Sequence, residues 1–352
     1  MDNSIFNVCI RCNTYNHSKY ILDALNGFVH QQTSFPFIVF LQDDASNDGE
    51  QDIIRSFVKE QFEIDDCNVA YNKETEYAYI SYAQHKINKN CFILVHYLKF
   101  NHYQIGKQML HYLGQWRNNI KYEAICEGDD YWTDPLKLQK QVEFMEHHPD
   151  YTMCCTDAVI SAGHKELDWK RYYKNCQIPT KDIIMGGGLF IQTATLLYRL
   201  NLVLDGTYPE SAKKCHVGDY PLQIFAALNG KVYWFSEKTS VYRYQVENSW
   251  THSNKTEKCN DNKVKGWQSE ITMLKEMDHF SKRLYHDVFN KRIATYVFEI
   301  LCGYPSYNTK LVQIFKEEIK LLSCKQKLRI YLLRPVHSNL YIFLSKIYHI
   351  FH

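Results

Sequence analysis

The sequence predicts an α/β fold, a mostly parallel sheet flanked by helices, followed by a helical carboxyl-terminal region. Three observations carry this. Apolar strand-like runs alternate with helical patterns through the first half, polar and acidic clusters fall just after those runs, and residues 254–352 change to long helical periodicity. A chain of 352 residues with 45% apolar and 23% charged residues has enough material for a large core and is not of disordered composition.

In order, Ile5–Ile10 reads as a strand that ends in the polar turn Arg11–Asn16. Ser18 is placed to cap a helix whose apolar positions Ile21, Leu22, Leu25, Phe28 and Val29 recur at helical spacing. A second strand, Phe37–Leu41, runs into Gln42–Gly49 and then a helix containing Ile53, Ile54, Phe57 and Val58. In parallel sheets ligands bind beyond the carboxyl ends of the strands, where these polar turns fall. Neither a Gly-x-Gly-x-x-Gly fingerprint nor a Walker motif occurs, which argues against a dinucleotide oxidoreductase and a P-loop enzyme.

Residues 68–120 carry the weakest signals: a strand at Cys91–Val95 and a helix from Gly106 to Trp116. Tyr122–Cys126 is then a short strand running into Glu127-Gly128-Asp129-Asp130-Tyr131-Trp132, with a helix start at Asp134-Pro135. Three carboxylates in four positions are costly to bury unpaired, and a divalent cation, Mg or Mn, resolves that cost while also holding substrate phosphates. The competing reading is a solvated acidic turn with Asp134 as a cap. Tyr131 and Trp132 favour a pocket wall.

Leu138, Val142, Phe144 and Met145 then form a helix closed by Pro149, and Tyr151–Cys155 a further strand. Residues 160–182 are irregular, and Gly186-Gly187-Gly188 permits close backbone approach. Behind Gly218-Asp219 the residues Leu222, Ile224, Phe225 and Leu228 predict a buried helix, with Asp219 at its start as either a cap or a functional carboxylate.

The run Cys126–Pro135, continued by Lys137–Val142, resembles the metal-binding segment of family 2 glycosyltransferases of the GT-A fold, particularly bacterial enzymes of surface-polysaccharide assembly. The resemblance covers residues 4–252 and implies a transferase domain over 1–253. It implies metal ligands at Glu127 and Asp129, with Glu127 in place of the first Asp of an Asp-x-Asp motif, and His252 as a further candidate. Donor-binding positions follow at Thr14, Tyr15 and Asn16, at Asp43 and Asp44 with Asp44 as the base contact, and at Lys107, Asp129 and Arg243. Asp130, Trp132, Arg199 and Trp250 fall on the acceptor side. The segment Gly218–Leu222 makes Asp219 the general base. The pattern departs at Gln245, where related sequences often carry His.

The expected activity is an inverting, metal-dependent transfer of a sugar from a nucleotide-diphosphate sugar, a UDP-sugar by that resemblance, to a hydroxyl of a glycan or lipid-linked glycan. A nucleotidyltransferase is the enzymatic alternative, although its Gly-rich basic loop is missing, and a non-catalytic carbohydrate-binding protein is the other. The formal charge of +2 without a basic stripe excludes nucleic acid as the expected partner. Twelve scattered Cys and the lack of a basic, apolar leader read as a reduced cytoplasmic protein. Residues 310–352 hold eight Lys/Arg and two Asp/Glu among Leu, Ile, Tyr and Phe. The helical region 254–352 is therefore expected to meet either an anionic inner-membrane surface or a second copy of the chain.

Overall fold

The computed structural model describes residues 6–106, 120–163, 165–167, 171–244, 246 and 259–332. Two compact units emerge: Met1–Pro179 with Gly188–Tyr208 and Phe225–Glu257, and Thr180–Gly187 with Pro209–Ile224 and Lys258–His352. The first unit holds a 12-stranded sheet. Its chain order begins β1 (Val8–Thr14), α1 (Ile21–Val29), β2 (Phe37–Asp43), α2 (Glu50–Gln61), β3 (Ala70–Glu74), β4 (Ala78–Gln84), β5 (Cys91–Leu98), β6 (Tyr122–Ile125), β7 (Tyr131–Trp132) and α3 (Lys137–His147). Then follow β8 (Tyr151–Ala162), β9 (Lys165–Leu167), β10 (Cys176–Ile178), β11 (Leu197–Arg199) and β12 (Lys231–Arg243).

The spatial order is β10-β12-β8-β11-β6-β1-β2-β5-β4-β3, with β7 on β12 and β9 on β8. The centre, β6-β1-β2-β5, is parallel as expected. Antiparallel strands flank it: β4 and β3 on one side and β11 on the other. One face of this centre is covered by α1, α2 and α3 through Ile21, Leu25, Phe28, Ile54, Leu138 and Val142, which pack on Val8, Ile10, Val39 and Val95. Apolar residues at helical spacing meet strand residues at alternate positions, so both periodicities end in one core.

Local departures from the sequence reading have physical causes. β1 and β2 continue through Thr14 and Asp43 because parallel pairing holds these polar ends to each other. Ser18 does not cap α1; its N–H donates to Asp48 instead, at 2.9 Å. Gly27 lets α1 lie against β7, since a Cβ there would fall 2.8 Å from the Trp132 carbonyl oxygen. The expected helix from Gly106 to Trp116 lies almost wholly outside the described residues.

The second unit contains α4 (Thr180–Gly186) and the helices α6 (Asp261–Phe280), α7 (His286–Gly303), α8 (Asn308–Ile314) and α9 (Cys324–Leu332), while the division between units falls within α5 (Asp219–Asn229). Asn260 caps α6 by accepting from the Lys263 N–H at 2.8 Å. Among the described residues no helix is long and apolar enough to cross a membrane.

Lys137 is fully buried at the start of α3, its Nζ 4.2 Å over the Trp132 ring and 2.7 Å from Gln141 Oε1. Burial pulls its pKa down to about 8. Above that value, and up to the ordinary lysine range, an unfolded chain keeps a proton that the folded chain has released, so folding stability contributed by this group rises with pH. Lys137→Met is expected to raise the chemical-denaturation midpoint at pH 7, with the advantage over wild type shrinking as pH rises from about 8 to 10.5. An advantage that is absent or independent of pH contradicts this account.

Candidate functional site

The parallel register brings four strand ends to one edge. Thr14 pairs with Asp43, Asp43 with Tyr97, and Arg11 with Ile125, so the turns after β1, β2, β5 and β6 leave the sheet together. The chain runs from β1 to β2 on one side and returns through β6 on the other, which makes β1/β6 a topological switch point, where such sheets bind ligands. There the Gly128 N–H donates to the Asn13 carbonyl at 3.1 Å. A Cβ on Gly128 would lie 2.1 Å from Thr14 Oγ1 and 2.6 Å from Thr14 Cβ, so the acidic loop and the first turn touch only because this residue is glycine.

Glu50, fully buried at the start of α2, ties the first two turns. It accepts from the Thr14 hydroxyl, from the His17 N–H at 2.9 Å and from the Ser46 hydroxyl at 2.8 Å. Burial pushes its carboxyl upward against these hydrogen bonds. The turns also meet where the Asn16 N–H donates to Ser46 Oγ and the Asn47 N–H to Asn16 Oδ1, both at 2.9 Å. Asn16 and Ala45 take left-handed φ values of 57° and 61°. Glu50 was missed in the sequence because helical periodicity marks apolar positions; its place directly after the left-handed Gly49 was the available signal.

The two aspartates after β2 divide their roles differently from the expectation. Asp44 Oδ1 accepts from the His102 N–H at 2.6 Å and Oδ2 from the Tyr103 N–H at 3.1 Å, while Asn101 Nδ2 donates to the Asp44 carbonyl at 3.1 Å. Asp44 therefore latches the turn after β5, which displaces it as the expected nucleobase contact. Asp43 Oδ1 accepts from the Ser46 N–H at 3.0 Å and from Gln51 Nε2, whereas Oδ2 is buried with no hydrogen-bond partner among the described residues. Burial raises the Asp43 carboxyl above its ordinary range.

In the acidic loop Glu127 is exposed and Asp129 and Asp130 are buried. Asp129 Oδ2 lies 3.9 Å from His17 Nε2, and His17 Nδ1 lies 3.3 Å from Thr14 Oγ1. Asp130 Oδ1 accepts from the Arg243 N–H at 2.8 Å; burial, then Asp129, pushes its carboxyl well above the usual range. This bond turns Asp130 into the sheet rather than toward an acceptor. The Arg243 guanidinium donates to the Asp129 carbonyl at 2.7 Å and pairs with Asp23, lying 4.5 Å over the Tyr131 ring. Arg243 thus braces the loop from the end of β12.

Trp132 and Arg199 are not brought to this edge. Trp132 is core: it is 3% exposed, its Nε1 donates to the Ala194 carbonyl at 2.7 Å, and its ring meets Phe28 edge-on. Arg199 pairs with Tyr122, the first residue of β6, and binds the carbonyls of Tyr151 and Met145 at 2.8 and 2.6 Å. It clamps the turn between α3 and β8 at the opposite end of β6 from the acidic loop. Tyr15 is half-buried beside Thr14 and Asn16. Lys107, Gln245, Trp250 and His252 lie outside the described residues.

Asp219 belongs to the second unit and opens α5, its Oδ1 accepting from the Tyr220 N–H at 2.8 Å. Within that unit Glu270 and Arg292 are buried 3.7 Å apart, and the Arg292 guanidinium lies 5.7 Å over the Tyr220 ring.

The edge gathers Asp43, Asp44, Glu50, Glu127, Asp129 and Asp130, with the Arg243 guanidinium on the Asp129 carbonyl. A diphosphate entering alone would meet like charge; a cation between the two removes the repulsion. The hard oxygen donors suit Mg or Mn. Among the described residues no group of three His, Cys, Asp or Glu side chains is arranged to hold an ion.

No family model matches the chain. It is 30% identical over 252 residues to the uncharacterized protein Rv1520 of Mycobacterium tuberculosis and, equally, to the uncharacterized protein Mb1547 of Mycobacterium bovis, over 70% of this chain and 60% of each relative. The match thus spans about three fifths of those relatives' length. Among solved structures it is similar to S. aureus TarS 1–349 in complex with UDP-GlcNAc, with a TM-score of 0.52, 14% identity and coverage of 98% of this chain and 92% of that one. TarS 1–349 without a named ligand gives a TM-score of 0.50 and coverage of 99% and 92%, again at 14% identity. The chain shares with these structures a mixed α/β fold, a large central sheet flanked by helices.

The contact at Gly128 gives a direct check. Gly128→Ala overpacks the site against the Thr14 side chain and is expected to lower stability by about 1–3 kcal/mol in urea unfolding. Ala45→Gly, at a left-handed position, is expected to stay within about 1 kcal/mol of wild type. An unchanged midpoint for Gly128→Ala contradicts the close approach of the two loops.

Proposed function

We propose that the chain is an inverting, metal-dependent glycosyltransferase of the family 2 type, moving a sugar from a nucleotide diphosphate, UDP in the first instance, to a hydroxyl of a glycan or lipid-linked glycan. The observation that carries this reading is the meeting of carboxylate-bearing turns at the switch point of a glycosyltransferase fold. The first turn, Thr14–Asn16, is proposed to bed the nucleoside. Asp43, whose Oδ2 has no hydrogen-bond partner among the described residues, is proposed to accept from the nucleobase N–H.

Glu127 and Asp129 would hold a divalent cation, Mn or Mg, which when bound supplies neutralising charge for the leaving diphosphate. Asp219 is proposed as the base. The acceptor oxygen forms a bond to the anomeric carbon from the face opposite the diphosphate, the anomeric carbon–oxygen bond to phosphate breaks, and the hydroxyl proton passes to Asp219. Support for Asp219 comes from the resemblance of Gly218–Leu222 to the family's base segment and from its position at a helix start, where a fixed carboxylate is held by its own backbone.

Transfer or hydrolysis measured over a panel of nucleotide sugars with Mn or Mg tests the reading. Asp219→Asn is expected to lose about 100- to 10,000-fold in kcat while keeping nucleotide affinity. Turnover equal to wild type removes Asp219 as the base. The carboxyl-terminal helices are proposed to attach the enzyme to an anionic membrane, with exposed Leu328, Tyr331, Lys325 and Arg329 on α9 offering apolar and basic contacts together. Removal of residues 326–352 is expected to weaken cosedimentation with anionic liposomes; equal cosedimentation rejects that attachment, and a shift from dimer to monomer would mark a self-association surface instead.

A further inference from the structure

His17 was not among the residues expected to bind anything, yet it sits between the first turn and the acidic loop. It is 8% exposed. Its backbone N–H is spent on Glu50, and its ring reaches in two directions: Nδ1 to Thr14 Oγ1 at 3.3 Å and Nε2 to Asp129 Oδ2 at 3.9 Å.

Glu50 receives three donors, among them the only proton of the Thr14 hydroxyl. With that proton spent, Thr14 Oγ1 is an acceptor for an Nδ1–H, the tautomer that a metal bound at Nε2 requires. Nε2 is left as a lone pair beside the Asp129 carboxylate. Two electron-rich atoms side by side in a buried position repel each other unless something positive lies between them. Metal-bound histidines characteristically donate their other ring N–H to a carboxylate or another acceptor that fixes the tautomer, and Thr14 backed by Glu50 supplies that support here.

We infer that His17 Nε2 and Asp129 Oδ2 together ligate the divalent cation, with Thr14 and Glu50 as the residues that orient the imidazole. Adjacent octahedral bonds of about 2.1 Å place two ligand atoms about 3.0 Å apart, so the two atoms, now 3.9 Å apart, would draw together by about 1 Å as the ion binds. Glu127, exposed on the same loop, and then diphosphate oxygens and water would take the remaining positions. An imidazole in the ligand set also favours a transition metal, Mn, over the harder Mg. This rests on the proposed binding of a nucleoside diphosphate and adds a ligand and a metal preference to it.

The test uses the full chain with UDP and, separately, GDP, each with Mn, followed by calorimetry and pulsed electron paramagnetic resonance. The wild-type Mn–nucleotide complex is expected to show nitrogen coupling from one bound imidazole and tighter binding than with Mg. His17→Gln is expected to lose that coupling and the preference for Mn, while Mg-supported binding persists. Glu50→Gln turns an amide N–H toward Thr14, frees the hydroxyl proton for Nδ1 and moves the ring proton to Nε2, so Mn affinity is expected to fall about 10- to 100-fold with the unfolding midpoint monitored in parallel. A Mn–nucleotide complex without nitrogen coupling, or with coupling that survives His17→Gln, overturns the assignment of His17 alone. Failure of wild type to bind either nucleotide with any divalent cation overturns the donor-binding reading and the metal site together.

Discussion

The structure depends on a close approach that charge alone would oppose. Carboxylate-bearing turns leave one sheet edge, and the acidic loop presses against the first turn at Gly128, where even a methyl group would collide with Thr14. What holds these segments together is a set of hydrogen bonds from uncharged donors: hydroxyls and backbone N–H groups to Glu50, backbone N–H groups to Asp44, and one backbone N–H to Asp130. The negative charge is thereby organised without being neutralised. Arg243 reaches the Asp129 carbonyl and Asp23, so it secures the loop's backbone and leaves the Asp129 carboxylate to other partners.

That arrangement links fold and function. In-register parallel pairing brings the turns to one edge, and the reversal of chain direction about β1 opens the crevice between them. Residues that fix the turns are buried and fully used. Asp43 Oδ2, His17 Nε2 and Asp129 Oδ2 face other needs. The proposed metal and nucleotide answer the surplus of negative charge that the fold creates. Asp219, the proposed base, stands in the second unit.

Much of the sheet was legible because buried parallel strands are continuous apolar runs, as at Phe37–Leu41 and Cys91–Val95. The hairpin β3–β4 was not, because its Asn, Lys, Glu and Ser residues at a half-exposed edge carry little apolar alternation. Site residues were legible as clusters, while their individual roles depended on long-range partners. Asp44 and Asp43 are adjacent, but only Asp44 meets the backbone of residues 102 and 103. Trp132 looked like a pocket wall beside three acids, and it turns into the core because strand β7 alternates its faces. Arg199 follows a small-residue segment like those at acceptor entrances, yet antiparallel pairing carries it to the far end of β6. Gly128 and Glu50 had no signal in periodicity, since each acts through a contact made only after the turns converge.

The central claim is that this crevice accepts a nucleoside diphosphate only in company with a divalent cation. Calorimetric titration of UDP and GDP into the full chain, with Mn present and again after chelation, measures it most directly. The account predicts binding that requires the cation and is lost in Asp129→Asn. Binding of equal strength after chelation, or undiminished in that variant, would contradict it.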